Sequence, residues 1–224
     1  MSQKDCAETG FVVWDWPTRL FHWLMVACVG LAWWSGEQQD FDRHSFLGYT
    51  VIVMVAFRIT WGFIGSTHSR FTDFVVGPAR VRDYVRGGAA KSNGHNPLGG
   101  WSVLVLLSLL LLQAFSGLFN SDDLMFDGPF HFWAEVGFRD AMGVVHEQVF
   151  NLLLAFISLH LLAVAYAQWR KKQPLIQAML KGRAEGRTGL KAPRSGWWAI
   201  LIIAAWALLL WWTINQAPKP QFLY

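Results

Sequence analysis

The chain has 224 residues, of which 54% are hydrophobic and only 15% are charged. Soluble domains usually carry about a quarter charged residues, so this composition excludes an ordinary soluble domain. The net charge of +4 does not indicate a nucleic-acid partner, because the basic residues lie in short segments between apolar runs. No CxxCH sequence occurs, which excludes covalent attachment of a c-type haem.

The apolar residues form runs long enough to cross a membrane, and several runs have tryptophan at their edges, where indole rings favour the membrane interface. Five membrane spans are predicted, at about 19–34, 44–64, 101–119, 144–169 and 197–214. The third and fifth spans contain no charged residue. The first span is short and contains His22, and the second contains Arg58, so these two spans are less apolar than the others.

The basic residues predict the orientation. Segments 65–98 and 170–195 are rich in lysine and arginine, whereas the other side of the membrane has only Arg43, Arg139 and Lys219. Since basic loops stay in the cytoplasm, we expect a multi-pass protein of the bacterial inner membrane. Its N-terminus is predicted to be cytoplasmic and its C-terminus periplasmic.

The predicted fold class is all-α, with a four-helix transmembrane bundle in residues 1–170. A basic cytoplasmic linker is expected at 171–195, followed by an extra C-terminal transmembrane helix and a short periplasmic tail at 196–224. The periplasmic loop 120–142 is acidic and aromatic and is predicted to contain a short interfacial helix. It is either a docking surface for a partner or a solvated loop that lies on the lipid headgroups.

Four of the seven histidines lie in spans or at span ends: His22, His44, His146 and His160. An ionisable side chain within a membrane helix costs free energy, so these positions indicate function. His146 and His160 are fourteen residues apart, which is two heptads and roughly 21 Å of helix rise, so both face the same side. His22 is then level with His160 on the cytoplasmic side, and His44 is level with His146 on the periplasmic side.

Two imidazoles that face each other across a helix bundle can serve as the axial ligands of a haem iron. The histidines therefore predict two haem b groups, one bound by His22 and His160 and the other by His44 and His146. A non-haem di-iron site needs several inward carboxylates, and only Glu147 is near. His68 lies in a cytoplasmic loop and is interpreted as an ordinary surface residue.

Four further residues are candidates for cofactor binding. Gly30 and Gly48 follow His22 and His44 on the ligand side and leave room for a porphyrin, although small residues also serve plain helix packing. Arg58 and Arg19 are predicted to neutralise the propionates of the cytoplasmic haem, since arginine pairs well with carboxylates. For Arg19 the alternative is an anchor at the membrane interface.

Five segments together resemble the bacterial cytochrome b-561 family, which includes the membrane cytochrome b subunit of nickel–iron hydrogenases. The segments are WDWPTRLFHW (14–23), RHSFLGY (43–49), RITWGFIGSTHSRFTDF (58–74), GHNPLGGW (94–101) and HEQVFNLLLAFISLH (146–160). The resemblance covers about residues 11–170. It implies a four-helix core with two haem b groups, whose ligand positions match the four histidines above. It also implies electron exchange between a periplasmic redox partner and the membrane quinone pool.

Many relatives end after the fourth helix, so the resemblance does not explain the fifth. It is an oligomer contact, a partner anchor or a helix without a specific role. The favoured function is an electron-transfer subunit whose partner is a c-type cytochrome or a hydrogenase-like dehydrogenase. Two alternatives stay open. One is a stand-alone quinone-linked oxidoreductase acting on superoxide or ferric iron, and the other is a non-redox haem carrier or anchor.

Overall fold

The chain is almost entirely helical in the computed structural model, which describes residues 11–88, 95–122, 124, 126–184 and 195–218. The helices are α1 (Trp16–Glu37), α2 (Phe41–Ile64), α3 (Phe71–Phe74), α4 (Pro78–Val85), α5 (Pro97–Gly117), α6 (Val136–Trp169), α7 (Leu175–Lys181) and α8 (Trp197–Gln216). Two strands of two residues each, β1 (Phe11–Val12) and β2 (Arg183–Ala184), pair in antiparallel fashion. The prediction of an all-helical membrane fold is confirmed.

Among the described residues, four helices are long and apolar enough to cross a membrane, namely α2, α5, α6 and α8. Helix α1 is not among them, because its 22 residues include Arg19, His22 and four tryptophans. The helices differ in how much of their apolar stretch is covered by the protein. Half of that stretch is buried in α2, whereas only 6% is buried in α8. Most of the α8 surface therefore suits contact with lipid rather than packing within the chain.

Side-chain caps determine where three long helices begin. Asp15, Asp40 and Asn96 precede α1, α2 and α5, and each accepts a hydrogen bond from the backbone N–H three residues later, at 3.0, 3.1 and 2.7 Å. Pro17 and Pro97 lie in the first turns of α1 and α5, where a missing N–H costs little. The caps of α1 and α2 set where these helices start, and therefore how many residues separate His22 and His44 from the helix ends.

The chain divides into two compact units. Unit 1 comprises Met1–His22, Arg58–Val105 and Ser158–Ala199. Unit 2 comprises Trp23–Phe57, Leu106–Ile157 and Ile200–Tyr224. His22 and His160 belong to unit 1, and His44 and His146 belong to unit 2. Each predicted histidine pair therefore falls within one unit.

Part of the predicted linker 171–195 is ordered structure. Helix α7 ends at Lys181 and is capped by Gly182, whose φ of +76° is the left-handed conformation that glycine adopts readily. The Gly182 carbonyl accepts hydrogen bonds from the backbone N–H groups of Val13 and Trp14, next to the β1–β2 pair. Residues 185–194 lie outside the described part of the chain. The division of the chain into domains stays a prediction.

Loop 120–142 contains a three-residue 3-10 helix, His131–Trp133, at the place where a short interfacial helix is predicted. Helix α6 begins at Val136, eight residues before the predicted start of the fourth span. Beneath this loop, Leu118, Phe119 and Phe130 form a buried apolar cluster in unit 2. The aromatic residues of the loop thus serve in part as a core and not only as exposed surface.

Candidate functional site

Unit 2 brings His44 of α2 and His146 of α6 close together. Their ring centroids are 6.1 Å apart, and the ring planes are inclined at 71°. Both rings are partly buried. Two residues separated by about a hundred positions in the chain are therefore close enough to bind one small ion or cofactor from two sides.

Both rings are held by backbone carbonyls of other helices. His44 Nδ1 donates to the carbonyl of Ala32 on α1 at 2.8 Å, and His146 Nδ1 donates to the carbonyl of Gln113 on α5 at 2.9 Å. A carbonyl oxygen can only accept a hydrogen bond, so in each ring the proton is on Nδ1. The Nε2 atom is then bare, which is the state of a neutral histidine that binds a metal.

A cavity that is partly open to its surroundings lies against these rings. Its walls are mostly apolar and include Trp33, Leu110 and Phe150. Gly48 also lines the cavity, and a Cβ atom added there meets no atom within 4 Å. The predicted free space beside Gly48 is therefore present. Gly30 also has open space around it, but it is exposed and does not line this cavity.

The unit 2 site fits a haem. Two imidazoles bound to one iron through Nε2 stand with centroids about 6 Å apart, since each metal–nitrogen bond is about 2 Å long. The rings are spaced accordingly, their Nε2 atoms are bare, and an apolar cavity lies beside them. These are the features that a bundle interior needs for a six-coordinate haem.

Unit 1 brings the other two histidines together. His22 of α1 and His160 of α6 are both partly buried and lie near enough for a direct electrostatic interaction. In the described part of the chain, the buried carboxylate and guanidinium groups belong to unit 1 and are those of Asp15 and Arg58. The second predicted pair therefore lies in a more charged environment than the first, and its binding of one haem stays a prediction.

Arg58 is only 3% exposed. Its guanidinium carbon lies 5.2 Å from the centre of the Phe71 ring and 5.9 Å from that of Phe74, and the negative charge of Asp15 acts on it. Within the described residues, its Nη1 atom has no hydrogen-bond partner. A buried guanidinium with a vacant donor suits a carboxylate such as a haem propionate.

Arg19 has a partner inside the protein. Its Nη1 donates to the carbonyl of Leu180 near the end of α7 at 2.7 Å. A cation at this place also complements the partial negative charge of a helix C-terminus, although α7 is only seven residues long. This bond gives Arg19 a structural function in joining α1 to α7, and its predicted contact with a propionate stays a prediction.

Two residues of unit 1 were not predicted as part of the site. Asp15 Oδ2 accepts a hydrogen bond from Trp61 Nε1 at 2.9 Å, while Oδ1 caps α1. Asp15 is 7% exposed and Trp61 is fully buried. A carboxylate immediately before an apolar run signals a helix cap. No sequence pattern, however, links it to a tryptophan 46 residues later.

The interpretation of His68 as a surface residue is wrong. His68 is 4% exposed, and its Nδ1 lies 2.9 Å from Oδ2 of Asp73. The neighbouring Ser69 hydroxyl is 2.7 Å from the hydroxyl of Thr18 on α1. The segment after α2 therefore folds back onto the start of α1 and buries this histidine.

Comparison with known proteins adds an independent observation. A family model described as prokaryotic cytochrome b561 matches residues 13–182. No curated protein and no solved structure matches the chain. The matched range contains all four histidines and Arg58, and it ends before α8.

Proposed function

Because the match over residues 13–182 shows that this chain belongs to the prokaryotic cytochrome b561 family, we propose that it is a di-haem electron carrier of the bacterial inner membrane. The family comprises membrane b-type cytochromes that act in electron transfer and bind haem b. In our proposal, electrons pass between a periplasmic redox protein and the membrane quinone pool. That redox protein is a c-type cytochrome or a hydrogenase-like dehydrogenase.

The observation that supports this proposal best is the His44–His146 pair in unit 2. A haem bound there supplies a one-electron Fe(III)/Fe(II) couple. The two Nε2 atoms would bind the iron, while the Ala32 and Gln113 carbonyls orient the rings and increase their basicity. The mostly apolar walls, which include Trp33, suit the apolar face of a porphyrin.

His22 and His160 are proposed to hold the second haem in unit 1. There the Nη1 atom of Arg58 is available to a propionate, and its positive charge favours the reduced iron. No residue has to act as an acid or a base in the electron step itself. The proton exchange of a quinone is a separate reaction.

The charge distribution supports the proposed orientation. Of the 19 lysines and arginines, only Arg43, Arg139 and Lys219 belong to unit 2. The positive-inside rule then favours a cytoplasmic location for segments 65–98 and 170–195 and a periplasmic location for loop 120–142. This orientation requires α1 to cross the membrane along with α2, α5, α6 and α8. The redox partner is then proposed to bind at loop 120–142.

A reduced-minus-oxidised visible spectrum tests the haem proposal. The purified protein should show a low-spin b-type band on reduction with dithionite, and pyridine haemochrome assays should give two haem b groups per chain. A protein that is folded and pure but lacks this band refutes the proposal. A single haem per chain leaves a cytochrome but rejects the two-pair assignment.

Purification from native membranes in mild detergent tests the partner. An electron-transfer subunit should retain a c-type cytochrome or a dehydrogenase, and that partner should reduce its haem or oxidise it. If no redox protein is recovered, and superoxide or ferric iron reacts directly with the quinol-reduced protein, the stand-alone oxidoreductase is the correct function.

A further inference from the structure

Two helices of unit 2 end in the same short arrangement. Near its end, α1 has Ser35 and Gly36, and α5 ends at Ser116 and Gly117. In both helices the carbonyl that holds a histidine ring belongs to the residue four positions before the glycine. These residues are Ala32 for His44 and Gln113 for His146. The arrangement occurs once for each histidine of the pair.

The serine makes the same bond in both places. Ser35 Oγ donates to the Ala32 carbonyl at 3.0 Å, and Ser116 Oγ donates to the Gln113 carbonyl at 2.9 Å. Each carbonyl therefore receives a serine hydroxyl as well as a histidine N–H. Ser116 Oγ also lies 3.1 Å from His146 Nδ1, so it can accept part of the same N–H.

The glycine lies against the ring in both places. A Cβ atom on Gly36 would stand 3.2 Å from His44 Nδ1, and one on Gly117 would stand 3.0 Å from His146 Cε1. These distances are shorter than an ordinary van der Waals contact of about 3.5–4.0 Å. Any other residue would push the ring away from its carbonyl. In a helix, the side chain at position i+4 lies on the same face as residue i, so glycine there leaves the carbonyl accessible.

The burial of the serines supports the same conclusion. Among the described residues of unit 2, the fully buried polar side chains are Ser35 and Ser116, and both are 0% exposed. A buried hydroxyl in a membrane helix is costly unless it is hydrogen-bonded, and a helix carbonyl three residues back is its usual partner. Each of these serines lies next to a glycine and bonds to the carbonyl that holds a histidine ring. This coincidence indicates that the two serines have the same role.

We propose that the Ser35–Gly36 and Ser116–Gly117 pairs are positioning elements that orient His44 and His146 toward one haem. Each glycine sets the ring position, and each serine limits how strongly the carbonyl attracts the ring N–H. This inference rests on the proposed function, because the rings need a fixed orientation only if they bind the iron. The serines and glycines themselves do not touch the cofactor.

Gly117→Ala and Gly36→Ala test the glycines, with Gly137→Ala as the matched control. Gly137 is also in a helix of unit 2, but a Cβ atom there meets nothing within 4 Å. The first two variants should hold the unit 2 haem roughly 10- to 100-fold less tightly, the usual effect of losing a supporting group around a metal ligand. Gly117→Ala should have the larger effect because its Cβ is closer to the ring. The control should retain both haems.

Ser35→Ala tests the serines, with Thr50→Val as the control. Thr50 also donates to a carbonyl of its own helix, Phe46, but lies away from the cavity. Without the Ser35 hydroxyl, the Ala32 carbonyl attracts the His44 N–H more strongly. The ring then becomes more electron-donating, so the midpoint potential of one haem should fall while the other stays unchanged. Thr50→Val should leave both potentials unchanged.

The outcomes separate this inference from the proposed function. If the wild-type protein contains no low-spin haem, the proposed function itself fails. If the wild-type protein contains two haems, but Gly117→Ala retains haem as Gly137→Ala does and Ser35→Ala keeps its potentials, the inference is overturned. A Gly117→Ala protein that does not fold still leaves Ser35→Ala to decide, because that change adds no bulk.

Discussion

The two histidine pairs of this molecule are held in different surroundings. In unit 2, backbone carbonyls hold both rings, and the fully buried polar side chains of its described part are Ser35 and Ser116. In unit 1, the fully buried side chains include the ionisable groups of Asp15, Arg58 and His68. One site is built from neutral groups, whereas the other lies among buried charges.

This difference shows that the same ligand pair can be supported in two ways. A carbonyl orients an imidazole without adding a net charge, so it positions the ligand and acts on the metal only through the basicity of the ring. A buried charge is costly in a membrane protein and needs a counter-charge, but it changes the relative free energy of the two oxidation states directly. We therefore expect changes in unit 2 to affect haem retention and, through the ring hydrogen bonds, the potential. Changes in unit 1 are expected to affect the potential and also the stability of the fold.

The largest expected effect comes from removing a ligand. His146→Ala should abolish haem binding in unit 2, because no other histidine faces His44 there in the described structure. The haem-to-protein ratio should fall from two to one, as measured by pyridine haemochrome. The remaining haem should keep its spectrum and its midpoint potential.

The pairing itself is tested by the other three ligands. His44→Ala should leave the same haem as His146→Ala, and His22→Ala should leave the same haem as His160→Ala. If His44→Ala instead resembles His22→Ala, the two-site comparison is wrong.

A smaller effect is expected from Asp15. Asp15→Ala removes the cap of α1, the acceptor of the Trp61 indole and the negative charge that acts on Arg58. Loss of a helix cap costs about 0.5–2 kcal/mol, and leaving the buried Trp61 N–H without its acceptor costs about 1–3 kcal/mol. Denaturant unfolding of the detergent-solubilised protein should show this loss. Asp15→Asn should cost less, since an amide oxygen can still cap the helix.

Asp42 provides the control for this measurement. It lies in the first turn of α2 and is exposed. Asp42→Ala therefore removes only a favourable charge at a helix N-terminus, which is worth about 0.3–1 kcal/mol. Equal losses for Asp15→Ala and Asp42→Ala would show that the buried charges of unit 1 are not coupled.

The smallest expected effect comes from replacing Arg58, which should shift the midpoint potential of one haem. Arg58→Leu removes a positive charge from unit 1, which disfavours the reduced iron. The midpoint potential of one haem should fall by on the order of 59 mV, a tenfold change for a one-electron couple. Redox titration followed in the visible spectrum measures this shift. The other haem is the internal control, and Arg58→Lys should preserve most of the potential. An unchanged potential in Arg58→Leu would remove Arg58 from the site.

Much of the architecture could be predicted because it depends on short-range patterns. Four of the five predicted spans lie within long helices, and α5 covers the third only as far as Gly117, two residues before its predicted end. The starts of α1, α2 and α5 after Asp15, Asp40 and Asn96 follow from side chains only three residues away from the groups they cap. The burial of His68 could not be predicted in this way. It depends on the segment after α2 folding back onto α1, where Ser69 meets Thr18.

The amino-acid sequence by itself determined the run lengths, the spacing of His146 and His160 and the placing of each histidine along its helix. These are local properties, set by the rise and the period of a helix. Only the tertiary structure decided that the Ala32 and Gln113 carbonyls hold the rings of His44 and His146, and that Asp15 meets Trp61. Every residue has a backbone carbonyl, so no side chain marks which carbonyl will accept the hydrogen bond of a histidine ring. That pairing arises only when the helices pack together.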